Sequence, residues 1–182
     1  MAESGDSELA SKAAAGDAAA FATLIGHLVP RLHRWLVATG CRHHDAEDVV
    51  QEACLRAHRA IGRYDPRWAF STWLFTIAHR VRLDQVARRR EHVPLGEQPC
   101  MEASDEDPLP PGGLWAQARA ALSAEDYRIL WLHYAEDQAP GDCARVLGIS
   151  AIAARVRLHR ARRRLESVVR ANPASVPAEV LS

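Results

Sequence analysis

Apolar and polar positions follow a helical period along nearly the whole chain. Residues 6–15 and 18–38 are rich in alanine and leucine, and the two stretches are separated by Gly16 and Asp17. Glycine commonly ends a helix, and aspartate commonly caps the next one. The N-terminal 38 residues therefore predict a helical hairpin.

The clearest period lies in residues 45–65, DAEDVVQEACLRAHRAIGRYD. Apolar residues recur there at i, i+3, i+4 and i+7, which predicts an amphipathic helix with one buried stripe. The stripe comprises Ala46, Val49, Val50, Ala53, Cys54, Ala57 and Ile61. The opposite face carries Asp48, Gln51, Glu52 and Leu55. Since single exposed leucines are common on protein surfaces, the pattern alone favours an ordinary solvated face.

Residues 64–91, YDPRWAFSTWLFTIAHRVRLDQVARRRE, predict a turn at Asp65 and Pro66 followed by another helix. Aromatic residues open this helix and basic residues end it: Trp68, Phe70, Trp73 and Phe75, then Arg80, Arg82, Arg88, Arg89 and Arg90. Rings on a helix usually belong to a core. Rings followed by arginines also suit single-stranded nucleic acid, which offers bases and phosphates. The composition fits both interpretations equally.

The helical period disappears in residues 93–113, which hold five prolines, three glycines, five acidic residues and no basic one. This composition is typical of a flexible linker. The sequence therefore predicts an all-α protein with two small helical domains, residues 1–92 and 114–172. The linker joins them, and residues 173–182 form a disordered tail.

The second domain predicts a helix-turn-helix. Ser123 and Asp126 give a helix-capping signal, and Tyr127, Leu130, Trp131 and Tyr134 form the predicted inward stripe of the helix that follows. A short helix then precedes Gly148, and a longer helix follows it. Six residues of this last segment are predicted to face the core: Ile149, Ile152, Val156, Ala161, Leu165 and Val168.

An arginine run, RVRLHRARRRL at residues 155–165, contains six arginines and no acid. Such a helix gains no stabilising i, i+4 ion pairs and suffers like-charge repulsion. On the second helix of a helix-turn-helix, the same charges suit the phosphates that flank the DNA major groove. The run therefore favours DNA binding over a solvated face.

Composition excludes several classes of protein. The net charge is zero, so only its distribution along the chain suggests a partner. The four cysteines lack the close pairing of zinc or redox motifs, and Cys41 with His43 and His44 is more typical of a polar loop than of a metal site. No catalytic motif, cofactor loop or membrane span is evident, so we expect a cytoplasmic protein that is not an enzyme, with no metal and no cofactor.

Several motifs in order now support a family resemblance. DAEDVVQE, FSTWLFTIAHRVRLDQVARRR, an acidic linker, LSAEDYRILWLHY and the arginine run together resemble a bacterial extracytoplasmic-function (ECF) sigma factor. These proteins are the small, two-domain class of RNA polymerase initiation subunits. The resemblance covers roughly residues 6–170.

The resemblance implies three interfaces. Asp48, Gln51, Glu52 and Leu55 would dock on the largest subunit of core RNA polymerase. Contacts to the −10 promoter element would come from Trp73, Arg80, Arg88, Arg89 and Arg90. Contacts to the −35 element would come from Ser150, Arg155, Arg157, Arg160, Arg163 and Arg164. Core RNA polymerase with its two largest subunits, promoter DNA and a controlling anti-sigma factor are the implied partners.

Two departures from the family pattern qualify this expectation. The recognition helix opens with Ala151, Ile152, Ala153 and Ala154, where small polar and lysine residues are usual, and Arg80 replaces a common asparagine. Alanine offers no hydrogen bond to a base edge. The alternative hypothesis is therefore a sigma-like decoy that binds an anti-sigma factor without reading promoters. A stand-alone helix-turn-helix repressor would explain only the second domain.

Overall fold

The computed structural model of the chain describes residues 2–92 and 113–171. Within those residues the fold is all-α, with one short 3₁₀ turn at Ile61–Arg63. The N-terminal unit contains α1 (Ala2–Ala14), α2 (Ala18–Ala38), α3 (His43–Ala60) and α4 (Phe70–His92). The C-terminal unit contains α5 (Leu114–Ala121), α6 (Ala124–Tyr134), α7 (Pro140–Leu147) and α8 (Ala151–Ala171). The predicted linker, except Gly113, and the predicted tail lie outside the described residues.

The predicted N-terminal hairpin is confirmed. Gly16 adopts a φ of 99°, which a residue with a side chain rarely accepts. The Asp17 carboxylate then accepts hydrogen bonds from the amides of Ala19 and Ala20 at 2.9 and 3.0 Å, and so caps α2. These local interactions fold α1 back along α2.

The core of the N-terminal unit lies between α2, α3 and α4. Trp35 of α2 is fully buried, and its ring centroid lies 5.3 Å from that of Phe75 on α4. The stripe predicted for α3 belongs to the same core, and Ala46, Val49 and Ala53 are completely buried in it. The unit therefore has one continuous apolar core that fixes which faces of α3 and α4 point outward.

The C-terminal unit surrounds a smaller aromatic core. The ring of Trp131 lies 4.6 Å from that of Trp115 and 6.0 Å from that of Tyr127. Ser123 caps α6 by accepting a hydrogen bond from the Asp126 amide, as predicted. The helix-turn-helix is also confirmed, since α7 ends at Gly148 in the left-handed conformation and α8 follows.

Three residues predicted to face this core do not. Tyr134 is the last residue of α6 and is 51% exposed. Ile152 and Val156 on α8 are 73% and 56% exposed. The buried stripe of α8 instead runs through Ala154, Leu158 and Ala161, with Leu165 packed partly against it. Nine residues separate Ile152 from Ala161, which places them about 180° apart around the helix.

The two units contact each other through polar side chains. The Arg31 Nε of α2 donates to the Glu136 carboxylate at 2.9 Å, and Glu136 is 1% exposed. The Thr72 hydroxyl donates to the Gln138 side chain at 2.6 Å. These bonds tie α2 and α4 to the loop between α6 and α7.

Candidate functional site

The exposed face of α3 carries the four residues predicted to dock on polymerase. Asp48, Gln51 and Leu55 are exposed, and Glu52 is partly exposed. Their spacing of three and four residues places them on one side of the helix, opposite the buried stripe. Leu55 leaves 46% of its surface open to solvent amid acidic neighbours. The structure thus brings this predicted set together.

One member of that face also stabilises the fold. The Glu52 carboxylate accepts a hydrogen bond from Arg56 Nε at 2.7 Å, and the same guanidinium donates to Asp84 of α4 at 3.0 Å. Arg56 therefore joins α3 to α4 along one edge of the docking face. Asp48 lies 3.5 Å from the His44 ring and stays exposed.

The aromatic residues before and along α4 divide between core and surface. Phe70 and Phe75 are buried. Trp73, the ring predicted to contact the −10 element, is partly buried, with its centroid 5.4 Å from the rings of Tyr64 and Phe70. Trp68 is 36% exposed, and the Arg145 guanidinium of α7 lies 3.4 Å from its ring centroid. This cation–π contact covers one face of Trp68.

The basic residues predicted on α4 have different surroundings. The side chains of Arg80 and Arg88 are exposed. Arg89 binds the Asp45 carboxylate of α3 through both terminal nitrogens, and this hydrogen bonding lowers the pKa of Asp45. Arg90 belongs to α4, and its side chain lies outside the described residues. α4 thus presents its predicted arginines in part to solvent and in part to the protein.

Arg82 was not among the predicted site residues, and the structure gives it a structural role. It is 7% exposed and donates to the Thr39 hydroxyl at 3.0 Å and to the Thr39 carbonyl at 2.9 Å. Burial lowers its pKa. No signal in the sequence distinguishes this arginine from its neighbours, because its partner lies 43 positions away.

A buried histidine lies beside these positive charges. His79 is 7% exposed, and its pKa is lowered to about 4, first by burial and then by the charges of Arg128, Arg82 and Arg80. Arg128 comes from α6, and burial together with the charge of Arg82 lowers its pKa to about 10. The contact between the units therefore contains several cationic groups close together, and the histidine among them is neutral at pH 7.

The arginine run lies on α8, whose N-terminus is capped by Ser150 through a bond from the Ala153 amide at 3.1 Å. Arg157 pairs with Glu125 at 2.8 Å, and Arg160 pairs with Asp126 at 3.3 Å. Within the described residues, the other predicted arginines of α8 are exposed and have no ion-pair partner. They are Arg155, Arg163 and Arg164, and the neighbouring Arg162 shares this property.

These geometries differ in what each can bind. The α8 surface offers guanidinium groups that no described acid pairs with, on the second helix of a helix-turn-helix, and these suit phosphates along a duplex. The α3 surface offers carboxylates around one apolar side chain, which suits a cationic and apolar protein surface.

Residues 2–92 and 113–171 contain neither a cluster of metal ligands nor a membrane-spanning helix. In these two stretches, no three His, Cys, Asp or Glu side chains come together as metal ligands. No helix there has both the length and the apolar character needed to cross a bilayer. Cys143 is buried, and burial raises the pKa of its thiol to about 12.

Comparison with known proteins identifies the two units. Residues 24–92 match the family model for Sigma-70 region 2, and residues 115–165 match the model for Sigma-70, region 4. The chain is 32% identical over 176 residues to the ECF RNA polymerase sigma factor SigM of Mycobacterium tuberculosis, covering 90% of this chain and 84% of SigM. It is 31% identical over 177 residues to the ECF sigma factor ShbA of Streptomyces griseus, covering 88% and 93% respectively.

A solved structure shares the architecture of both units. CnrH, solved in complex with the cytosolic domain of CnrY, superposes with a TM-score of 0.65 at 25% identity, covering 92% of this chain and 99% of CnrH. Two region models in the expected order and relatives that align over most of their length point to one family. The chain belongs to the extracytoplasmic-function sigma factors of bacterial RNA polymerase.

Proposed function

We propose that this chain binds core RNA polymerase and directs it to promoters that have a −10 and a −35 element. The observation that carries the proposal is the surface of α8, where several arginines without an ion-pair partner among the described residues project from a helix-turn-helix. Like charges this close together on one helix repel one another, and residues 151–165 contain no acid that would offset the repulsion. Duplex phosphates compensate it directly.

The α3 face would supply the polymerase contact. Leu55 gives an apolar centre, and Asp48 and Glu52 give a charged rim, which is the usual composition of a protein interface. The opposite face of the helix is fixed in the core by Ala46, Val49 and Ala53. Docking through α3 would therefore orient the whole N-terminal unit on the polymerase.

The −10 contact would come from Trp73, Arg80 and the basic end of α4. An aromatic edge beside exposed guanidinium groups suits bases held out of the duplex and their phosphates. Arg89, however, is bound to Asp45 in this conformation. Its use on DNA would require that ion pair to open, so we assign Arg80 the larger share of the contact.

Domain boundaries and control complete the proposal. We propose a polymerase and −10 domain at residues 1–92 and a −35 domain at residues 114–172, joined by the acidic linker. We also propose that an anti-sigma factor holds the protein inactive, as the solved complex of the sigma factor RpoE with the anti-sigma factor NepR of Bartonella quintana suggests. The protein would act in the cytoplasm as a regulator, without catalytic chemistry of its own.

Reconstituted transcription tests this function. Purified chain and core polymerase are incubated with fragments of the source genome, and transcript starts are mapped by sequencing. We expect starts that share two spaced sequence elements and that vanish when the chain is omitted. Polymerase binding without specific starts would favour the decoy hypothesis, which needs no cationic surface on α8. Absence of polymerase binding would overturn the proposal.

Variants of the docking face sharpen this test. Asp48→Ala combined with Glu52→Ala should weaken polymerase binding about tenfold, which corresponds to about 1.4 kcal/mol. Asp48→Ala alone is compared with Glu47→Ala, because each removes one exposed acid of the same helix and Glu47 lies outside the predicted set. Equal losses for both would show that charge alone matters. Fluorescence anisotropy with labelled chain measures each affinity.

A further inference from the structure

Two large apolar side chains lie exposed at the start of the recognition helix α8. Ile152 is 73% exposed and Val156 is 56% exposed. They are separated by four residues, so they lie on the same face one turn apart. Ala154, Leu158 and Ala161 bury the opposite face. The helix therefore directs this apolar pair away from the core of its own unit.

A single exposed apolar residue is common on protein surfaces. Here two β-branched residues occupy adjacent turns of a helix that is otherwise rich in arginine. Their place in the first two turns of the second helix is the part of a helix-turn-helix that reaches base edges. Both the location of the pair on α8 and its apolar character therefore indicate contact with a partner.

The charges around the pair indicate which partner. Arg155, His159 and Arg163 lie on the same side of α8 by helical period, and all three are exposed. Residues 151–165 contain no acidic side chain. A partner for this face must therefore be anionic and must also offer apolar groups at its centre. Duplex DNA satisfies both conditions, since thymine places its 5-methyl group in the major groove between two rows of phosphates.

Two of the polar side chains near the start of α8 are already engaged. The Ser150 hydroxyl accepts a hydrogen bond from the Ala153 amide, and Arg157 pairs with Glu125. Ala151, Ala153 and Ala154 offer no donor or acceptor beyond the backbone. Hydrogen-bonded readout of base edges at the start of this helix therefore depends mainly on Arg155. Apolar contact must carry more of any sequence preference than it does on a polar recognition helix.

We propose that Ile152 and Val156 read thymine methyl groups in the −35 element and so determine part of its sequence. This inference rests on the proposed function, because it requires α8 to enter the major groove. Burial of one methyl group against an apolar side chain is expected to change affinity about fourfold. The preference should therefore be modest at each position and should depend on the methyl group alone.

Uracil provides the test, since deoxyuridine keeps the hydrogen-bonding groups of thymidine and lacks only the methyl. Full-length chain and core polymerase first select duplexes from a library with a randomised upstream element. The most enriched duplex is then synthesised with uracil in place of each thymine in turn. We expect an affinity loss of about fourfold at one or two positions and less than twofold at the others.

Variants then connect the methyl groups to the side chains. Ile152→Ala and Val156→Ala should each abolish the thymine preference at one position, so that thymine and uracil duplexes bind within twofold. Arg163→Ala is the matched control on the same helix. It should weaken binding to both duplexes equally and leave the thymine preference unchanged. Circular dichroism confirms that each variant keeps its helix content.

Distinct results separate the possible failures. Specific selection with no uracil effect at any position would overturn the inference and leave the proposed function standing. Loss of polymerase retention in Ile152→Ala, with the thymine preference intact, would identify the pair as a protein contact and also overturn it. Failure to select any duplex would overturn the proposed function, and this inference with it.

Discussion

The helices α4 and α8 are similar in length and rich in arginine, yet they use that residue differently. In α4, Arg82 is buried against Thr39, and Arg89 is tied to Asp45. In α8, Arg155 and Arg163 are exposed without an ion-pair partner among the described residues. The guanidinium groups of α4 therefore serve in part to hold the N-terminal unit together. Arg155 and Arg163 of α8 remain available to another molecule.

The availability of charge, and not the number of arginines, should thus decide DNA affinity. Replacing Arg155, Arg163 and Arg164 of α8 with alanine should have the largest effect of the changes considered. If each contacts one phosphate, the slope of log affinity against log salt falls by about 2.7, and affinity at 0.1 M salt falls roughly 500-fold. Stability should change by less than about 0.5 kcal/mol per residue, because these side chains are exposed.

A charge-matched variant tests whether position matters. Arg42, Arg59 and Arg63 are exposed arginines of the N-terminal unit, and replacing all three removes the same charge. This variant should keep most of the affinity for duplex DNA and most of the salt slope. Filter binding of the selected duplex at several salt concentrations measures both. Equal losses in the two triple variants would show that net charge decides the affinity and that the position of the arginines on α8 does not.

Sequence patterns predicted the helices and the α3 face because these follow from local spacing. The stripe of α3 has one apolar side, so only one orientation buries it. In α8, alanine fits either a core or a surface, and a stripe through Ile152 and Val156 matches the period nearly as well as the true one through Leu158. Packing against α6 and α7 decides between them, and that information is not local.

Contacts between segments that are far apart in the sequence could not be predicted, for a related reason. Glu136 pairs with Arg31 across 105 positions, and the polar partner of Arg82 includes a backbone carbonyl that every residue possesses. A charged side chain in a sequence gives no sign of whether folding will bury it. The exposed apolar pair of α8 was missed because apolar residues on a helix are usually assigned to a core.

Lowering the pH should destabilise the protein through protonation of His79 on α4. Its folded pKa of about 4 lies below the ordinary value of 6.5, because burial and the nearby arginines disfavour the protonated ring. The unfolded chain therefore binds this proton first as the pH falls. The stability contribution is fully present above about pH 6.5 and is lost as the pH falls towards 4. The total loss from this residue is about 3 kcal/mol.

Comparison with His79→Asn isolates this residue from the other groups that titrate in acid. Urea unfolding is measured for both proteins between pH 7 and pH 4, in steps of half a unit. The wild-type free energy of unfolding should fall by about 3 kcal/mol more than that of the variant. Parallel curves would mean that the ring accepts a proton in the folded protein without cost.

Replacing the buried Arg82 of α4 should lower the free energy of unfolding, whereas replacing the exposed Arg80 should leave it nearly unchanged. Arg82→Leu removes two hydrogen bonds and leaves the Thr39 carbonyl without this donor, so it should destabilise the protein by about 2 kcal/mol. Arg80→Leu is the matched control, since Arg80 is an exposed neighbour on the same helix. It should change stability by less than about 0.5 kcal/mol. A stabilising effect of Arg82→Leu would show that desolvation of the charge outweighs its hydrogen bonds.

Disruption of the ion pair between Asp45 and Arg89 should have the smallest effect of these changes. The strength of this pair determines how firmly the Arg89 side chain is held against the protein. The Arg89 side chain is 48% exposed, so water screens the pair, and a double-mutant cycle with alanine should give a coupling energy of about 1 kcal/mol or less. A pair this weak opens readily, and phosphate can then replace Asp45 as the partner of Arg89. Under that condition Asp45→Asn should raise affinity for single-stranded −10 DNA by no more than about fivefold. A coupling above about 2 kcal/mol would instead make Arg89 a fixed structural residue and remove it from the −10 surface.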